Sequence, residues 1–106
     1  MIIASIRIVV TPEKRHDVLR TLRPILGPTK VRGGCKECRF YEDIEDLNTL
    51  LLVQGWESQT ALESYIRSEE YRKVLAAMDL AVEKPEVTFH TVTRTAGMEF
   101  IKTVRK

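Results

Sequence analysis

Gln54 and Trp56 stand two residues apart, and Tyr65 follows nine residues after the tryptophan. An indole stacks on planar ligands. A carboxamide can hydrogen-bond a substrate oxygen. A phenol can donate to an oxyanion, but with a reference pKa of about 10 it is a poor base near neutrality. Each residue also has a plainer role. Trp56 can anchor a strand to the helices, Gln54 can pair with backbone or water at the core's edge, and Tyr65 can lie half-buried with its hydroxyl at the surface.

Cys35 and Cys38 have the C-x-x-C spacing of redox and zinc sites. Zinc needs four ligands, and the remaining candidates, His16 and His90, are far away with no knuckle spacing. A redox pair sits at a helix N-terminus, where the dipole lowers the thiol pKa, whereas this pair enters a strand. Three residues apart in a regular strand, the two Cα atoms would lie about 10 Å apart on opposite faces, beyond disulfide reach. The sequence therefore predicts Cys38 as a small buried hydrophobe level with Phe40. His90 is a base only if its side of a strand faces a cavity. His16, beside Arg15 and Asp17, reads as solvated, and Arg39 as a strand-surface arginine able to attract an anion.

The elements that must position these residues follow from periodicity. Ile2, Ala4, Ile6, Ile8 and Val10 recur at period two and predict a strand. Thr11 and Pro12 open a helix with Val18, Leu19 and Leu22 as its stripe. Pro24 is expected to end that helix near Arg23, leaving a basic connector bounded by Gly27-Pro28 and Gly33-Gly34. Cys38, Phe40 and Glu42 alternate with Glu37, Arg39 and Tyr41 in a second strand. Residues 43–48 form a polar turn, and Leu50 to Trp56 a third strand. Ser58 caps a helix carrying Ala61, Leu62, Tyr65 and Ile66. Ser68 is expected to cap another, carrying Tyr71, Val74, Leu75 and Met78. Val87, Phe89, Thr91 and Thr93 alternate in a fourth strand. After Gly97 the tail has its own alternation of Met98, Phe100, Lys102 and Val104.

The order is β-α-β-β-α-α-β, an α+β, ferredoxin-like antiparallel sheet, with a domain over residues 1–95 and a tail over 96–106. At 106 residues, 43% apolar and 30% charged, the chain has the composition of one globular domain. Residues 1–40 carry nine Lys/Arg against three Asp/Glu, and residues 41–106 eight against twelve. That asymmetry suits anionic ligands or association between copies, unless the charges are simply solvated. The basic third lacks interleaved aromatics, which argues against nucleic acid. The apolar start is too short for a membrane span and lacks the parts of a signal peptide. Two cysteines are no disulfide framework, so a cytoplasmic, reduced protein is expected. The third strand is apolar on both faces, through Leu50, Leu52 and Trp56 on one and Leu51, Val53 and Gly55 on the other. Helices cover only one face of such a sheet, so a homodimer of facing sheets is expected, with the tail reaching the partner.

The run Gly34-Cys35-x-x-Cys38-x-Phe40-Tyr41-x-Asp43, followed by Gln54-x-Trp56-Glu57-Ser58-x-x-Ala61-Leu62-x-x-Tyr65-x-x-Ser68, resembles the antibiotic biosynthesis monooxygenase domain, of the dimeric α+β barrel superfamily. The resemblance covers roughly residues 2–93 and is carried by 34–68. It implies a pocket between helices and sheet lined by Trp56, and oxidation of a quinol or similar small aromatic with no metal, flavin or other cofactor, the substrate anion itself reducing dioxygen. Gln54 and Tyr65 would join Trp56 there, with Phe40, Leu52, Met78 and Cys38 as the pocket wall. Two positions depart from the family's pattern. Leu52 stands where some members place an asparagine, and Tyr65 where a histidine is common. The haem-degrading relatives bind iron through a helix histidine, so a haem is not expected here. A non-catalytic dimeric ligand-binding module of the same fold is the alternative.

Overall fold

A computed structural model describes all 106 residues. Strand β1 (Ile2–Val9) lies between β3 (Thr49–Trp56) and β4 (Glu86–Thr91), with β2 (Cys35–Glu42) outside β3. The spatial order is β2-β3-β1-β4 and every pairing is antiparallel. Helices α1 (Pro12–Lys30), α2 (Gln59–Ile66) and α3 (Tyr71–Met78) cover one face. The chain thus has the ferredoxin-like α+β arrangement. A fourth helix, α4 (Met98–Val104), ends it.

The period-two pattern of β1 becomes a strict alternation of buried and half-buried residues. Ile2, Ala4, Ile6 and Ile8 point at the helices, level with Trp56, Gln54, Leu52 and Leu50 of β3. The opposite, open face carries Ile3, Ser5 and Arg7 beside Gly55, Val53 and Leu51. Ser5 meets Thr88 there through their hydroxyls at 2.7 Å, and Arg7 meets Glu86 at 3.7 Å.

Three local expectations are corrected. Helix α1 does not end at Arg23 but continues through Pro24 and Pro28 to Lys30. The two prolines lie one turn apart on the exposed side, so the carbonyls they leave unpaired face water. Each internal proline costs about 3 kcal/mol, and burial of Ile25 beyond the first of them, about 1.5–3 kcal/mol, offsets part of that. Ser58 caps α2 as expected, its hydroxyl accepting from the Ala61 amide at 3.1 Å. Ser68, however, does not cap α3. Its hydroxyl donates to the Tyr65 carbonyl at 2.6 Å, ending α2, and Glu70 takes the cap position. The tail is helical rather than strand-like, because Met98, Ile101 and Val104 repeat at i+3 and Phe100 pairs with Val104 at i+4.

Candidate functional site

Trp56 ends β3, and two backbone features hold it where the chain turns into α2. The Glu57 amide donates to the Gly34 carbonyl at 2.7 Å, tying the β3–α2 junction to the turn before β2. Gly34 itself has a φ of 86°, and a Cβ there would collide with the Ala61 side chain, so this turn requires glycine. Trp56 is consequently sealed under α2 with no exposed surface.

Tyr65 of α2 stacks on Trp56, ring centroids 4.7 Å apart at 29°. Tyr71 of α3 meets Tyr65 edge-on at 5.3 Å and 88°, and the Arg32 guanidinium lies 5.7 Å from the Tyr65 ring centre. Gln54, on the same strand face as Trp56, donates from Nε2 to the Tyr65 hydroxyl at 3.0 Å and to Cys38 Sγ at 3.5 Å. The sequence-predicted trio therefore forms one connected cluster. Leu52 and Cys38 lie with it in the core, and Phe40 and Met78 pack against that core partly exposed.

Electrostatics fix the protonation of this cluster. Burial pushes the Tyr65 phenol above its ordinary range, more than the hydrogen bond from Gln54 and the nearby Thr29 hydroxyl pull it down. Burial raises Tyr71 as well. Tyr65 is thus a neutral hydrogen-bond donor at physiological pH. Its oxygen accepts from Gln54, which leaves its own proton to give. Thr29 of α1 lies beside the phenol without a hydrogen bond of full geometry, and its buried hydroxyl has no partner. The Trp56 indole N–H is likewise buried and unpartnered. An unsatisfied buried polar group costs about 1–3 kcal/mol, so two beside one aromatic stack need a reason.

Thr29 was not foreseen. Once α1 is extended through Pro24, Thr29 falls at i+4 from Ile25 and i+7 from Leu22, on the buried stripe. The expected helix end hid that signal.

The cysteines also differ from expectation. A bulge between Cys35 and Glu37 resets the alternation, so Cys35 pairs with Trp56 and Cys38 with Gln54, both on the helix-covered face rather than on opposite faces. Burial raises both thiols, and the pair is reduced. Such thiols are poor nucleophiles. His16 is exposed on α1, and His90 is exposed on the open face opposite Ile3.

Three hollows indent the surface. One of about 280 Å³ lies among Lys30, Lys36, Glu37, Cys38 and Arg39. One of about 260 Å³ on the open face is lined by Arg7, Tyr41, Glu42, Asp43, Thr49 and Leu51. A third, of about 260 Å³, lies among Arg94, Ala96 and Phe100. Of the residues expected to line a pocket between helices and sheet, only Cys38 reaches any of them, and Arg39, expected as a surface arginine able to attract an anion, lies beside it in the first. The Trp56–Tyr65 stack is filled core.

The family model for antibiotic biosynthesis monooxygenase matches residues 1–77, which takes in β1 to α2, α3 up to Ala77, and the Trp56–Tyr65–Gln54 cluster. The chain belongs to the antibiotic biosynthesis monooxygenase family. Its fold superimposes on that of a Deinococcus radiodurans protein described as a candidate antibiotic biosynthesis monooxygenase, with a TM-score of 0.83 and 17% identity over 92% of this chain and 98% of the other. Rv0793 from Mycobacterium tuberculosis matches with a TM-score of 0.82 and 22% identity over 91% and 98%. An uncharacterised Synechocystis protein, sll1783, is 23% identical over 95 residues, and the chain spans 65% of that relative's length. No helix is long and apolar enough to cross a membrane.

Proposed function

We propose that this chain is a cofactor-independent monooxygenase acting on a quinol or similar small electron-rich aromatic. The observation that carries the reading is the pair of unpartnered buried groups, Trp56 Nε1 and Thr29 Oγ1, beside the Trp56–Tyr65–Gln54 cluster inside the family-matched region. A planar substrate stacked on Trp56 would take the place the Tyr65 ring now holds, so entry requires α2 to give way. The Tyr65 hydroxyl and indole N–H would then donate to the substrate's oxygens and favour its anion. The anion passes one electron to dioxygen, and the radical pair joins as a ring C–O bond. Loss of water leaves a hydroxyquinone. Quinol plus dioxygen thus gives hydroxyquinone plus water, with no external reductant.

We further infer that a second copy covers the open face, where Ile3, Leu51 and Val53 stay half-buried in the single chain, and that free thiols at Cys35 and Cys38 suit the reducing cytoplasm. The closed Trp56–Tyr65 stack and the lack of a base favour one second reading, a non-catalytic dimeric module that binds an apolar aromatic.

Oxygen-electrode assays across a panel of quinols and anthrols separate the two. Monooxygenase action predicts uptake that Trp56→Phe reduces at least tenfold. Saturable quenching of tryptophan fluorescence without uptake selects the binding module.

A further inference from the structure

Helix α4 is seven residues long and buries none of them. Met98, Phe100, Ile101 and Val104 are all more than half exposed, at 66%, 53%, 52% and 67%. An isolated helix this short is unstable in water. Besides its own backbone bonds, among them Phe100 N–H to the Gly97 carbonyl at 3.0 Å, its one side-chain hydrogen bond is the Glu99 carboxylate accepting from the Gly97 amide at 3.0 Å. Something outside its own fold must hold it.

The segment after β4 is also basic. Arg94, Lys102, Arg105 and Lys106 face Glu99 alone, and none of the four cations is in an ion pair. The complementary surface lies at the diagonally opposite corner of the sheet. Loop 43–48 carries Asp43, Glu45 and Asp46, none paired with a cation, and it exposes Ile44 at 94% and Leu47 at 59%. Beside it opens the 260 Å³ hollow of Tyr41 and Leu51, with Arg7, Glu42, Asp43 and Thr49 as its polar rim. That volume is below the range of about 300–1,000 Å³ typical of ligand pockets and suits one or two side chains.

We propose that α4 docks on a second copy of this chain, its apolar stripe over the Tyr41–Leu51 hollow and its cations against loop 43–48. The proposal rests on the two-copy reading given above. Within its own chain α4 buries no residue, so the chain's own sheet does not hold it. The Thr91 end of β4 and the Glu42 corner of β2 lie at opposite ends of the two edge strands, separated by three strand spacings and six residues of strand, roughly 25 Å. A two-fold axis along the sheet's other diagonal instead lays the β4–α4 corner of one copy over the β2–β3 corner of the other. That axis crosses the strands of the two sheets near right angles, one of the two ordinary ways sheets pack. Symmetry then gives two identical tail exchanges per dimer.

The test places the photo-crosslinker p-benzoylphenylalanine at position 100 of the full chain, mixed with a ¹⁵N-labelled copy and allowed to exchange subunits. The expected product joins position 100 to residues 41–51 of the labelled chain, and the double variant Phe100→Asp/Ile101→Asp weakens dimerisation about tenfold or more by light scattering on dilution. Because α4 buries nothing, both proteins should fold. Cross-links confined to one chain, cross-links elsewhere on the partner, or a dimer with no cross-link and unchanged affinity in the double variant each overturn the docking while leaving the dimer standing. A monomer at micromolar concentration in the unsubstituted protein overturns the two-copy reading and the docking with it.

Discussion

On the helix side of the sheet, Ile6, Ile8, Leu50, Leu52 and Trp56 are at most 3% exposed. On the other side of the same strands, Ile3, Arg7, Leu51 and Val53 are only half-buried. The two faces share one backbone and differ in what covers them. The covered face is finished within the chain, so its side chains are fixed by packing and its buried polar groups are accountable one by one. The open face mixes aliphatic positions with a hydroxyl pair, Ser5–Thr88, and an ion pair, Arg7–Glu86. On the two-copy reading proposed above it is half of an interface, able to stand in water and to be covered.

The largest effect should come from the covered face. Trp56→Ala removes a fully buried indole against Tyr65 and should cost about 3–5 kcal/mol of unfolding free energy, read from urea midpoints. Trp56→Phe should cost less and still fold. If Trp56→Ala is tolerated within about 1 kcal/mol, Trp56 does not anchor this core.

How much of this was legible beforehand follows the same division. Strand β1 and the Ser58 cap were readable because period two and a serine before an apolar run each have one dominant cause. The Trp56–Gln54–Tyr65 grouping was readable because residues two apart share a strand face and Tyr65 falls on the apolar side of its helix. Three things were not. The bulge at Cys35–Glu37 depends on how β2 pairs with β3, which nothing local announces, and it moved Cys35 to the covered face. Helix α1 runs through Pro24 because tertiary burial, of Ile25 above all, acts against a local penalty. The tail's apolar residues fit period two and a helical stripe together, and seven residues are too few to choose between them.

Next in size is a test on the open face. Val53→Lys should weaken a two-copy assembly about a hundredfold, equivalent to roughly 2.7 kcal/mol, while changing the isolated domain's stability by less than 1 kcal/mol. Dilution series by light scattering check the first number and monomer urea melts the second. An equal loss in both would mean Val53 supports its own fold, and the contrast between faces would fail.

Tyrosine ionisation gives a smaller, pH-coded effect on the covered face. Burial holds Tyr65 and Tyr71 above their unfolded value, so the folded state keeps their protons longer than the unfolded chain does. The unfolded state binds fewer protons above pH 10, so stability is fully present below about pH 10 and falls as pH rises toward the raised folded values. Urea midpoints from pH 8 to 11.5 should decline at the alkaline end. Tyr65→Phe should flatten that decline while costing about 1 kcal/mol at pH 7 through the lost Gln54 bond. A decline unchanged in both Tyr65→Phe and Tyr71→Phe would assign it elsewhere.

The smallest expected effect discriminates best between the two faces. Arg7 and Glu86 are 3.7 Å apart with side chains 41% and 69% exposed, so in a single chain the pair is a solvated ion pair worth less than about 0.5 kcal/mol. Glu86→Gln in the Val53→Lys background should therefore leave the urea midpoint almost unchanged. On the two-copy reading, the same substitution in the assembled protein would leave Arg7 without its carboxylate in a place that the second copy dries, where an uncompensated charge is far more costly. The loss should then appear as weaker assembly at low salt. A Glu86→Gln penalty that is equally small in both backgrounds would mean that water still reaches Arg7, and that whatever covers the open face leaves this edge of the sheet bare.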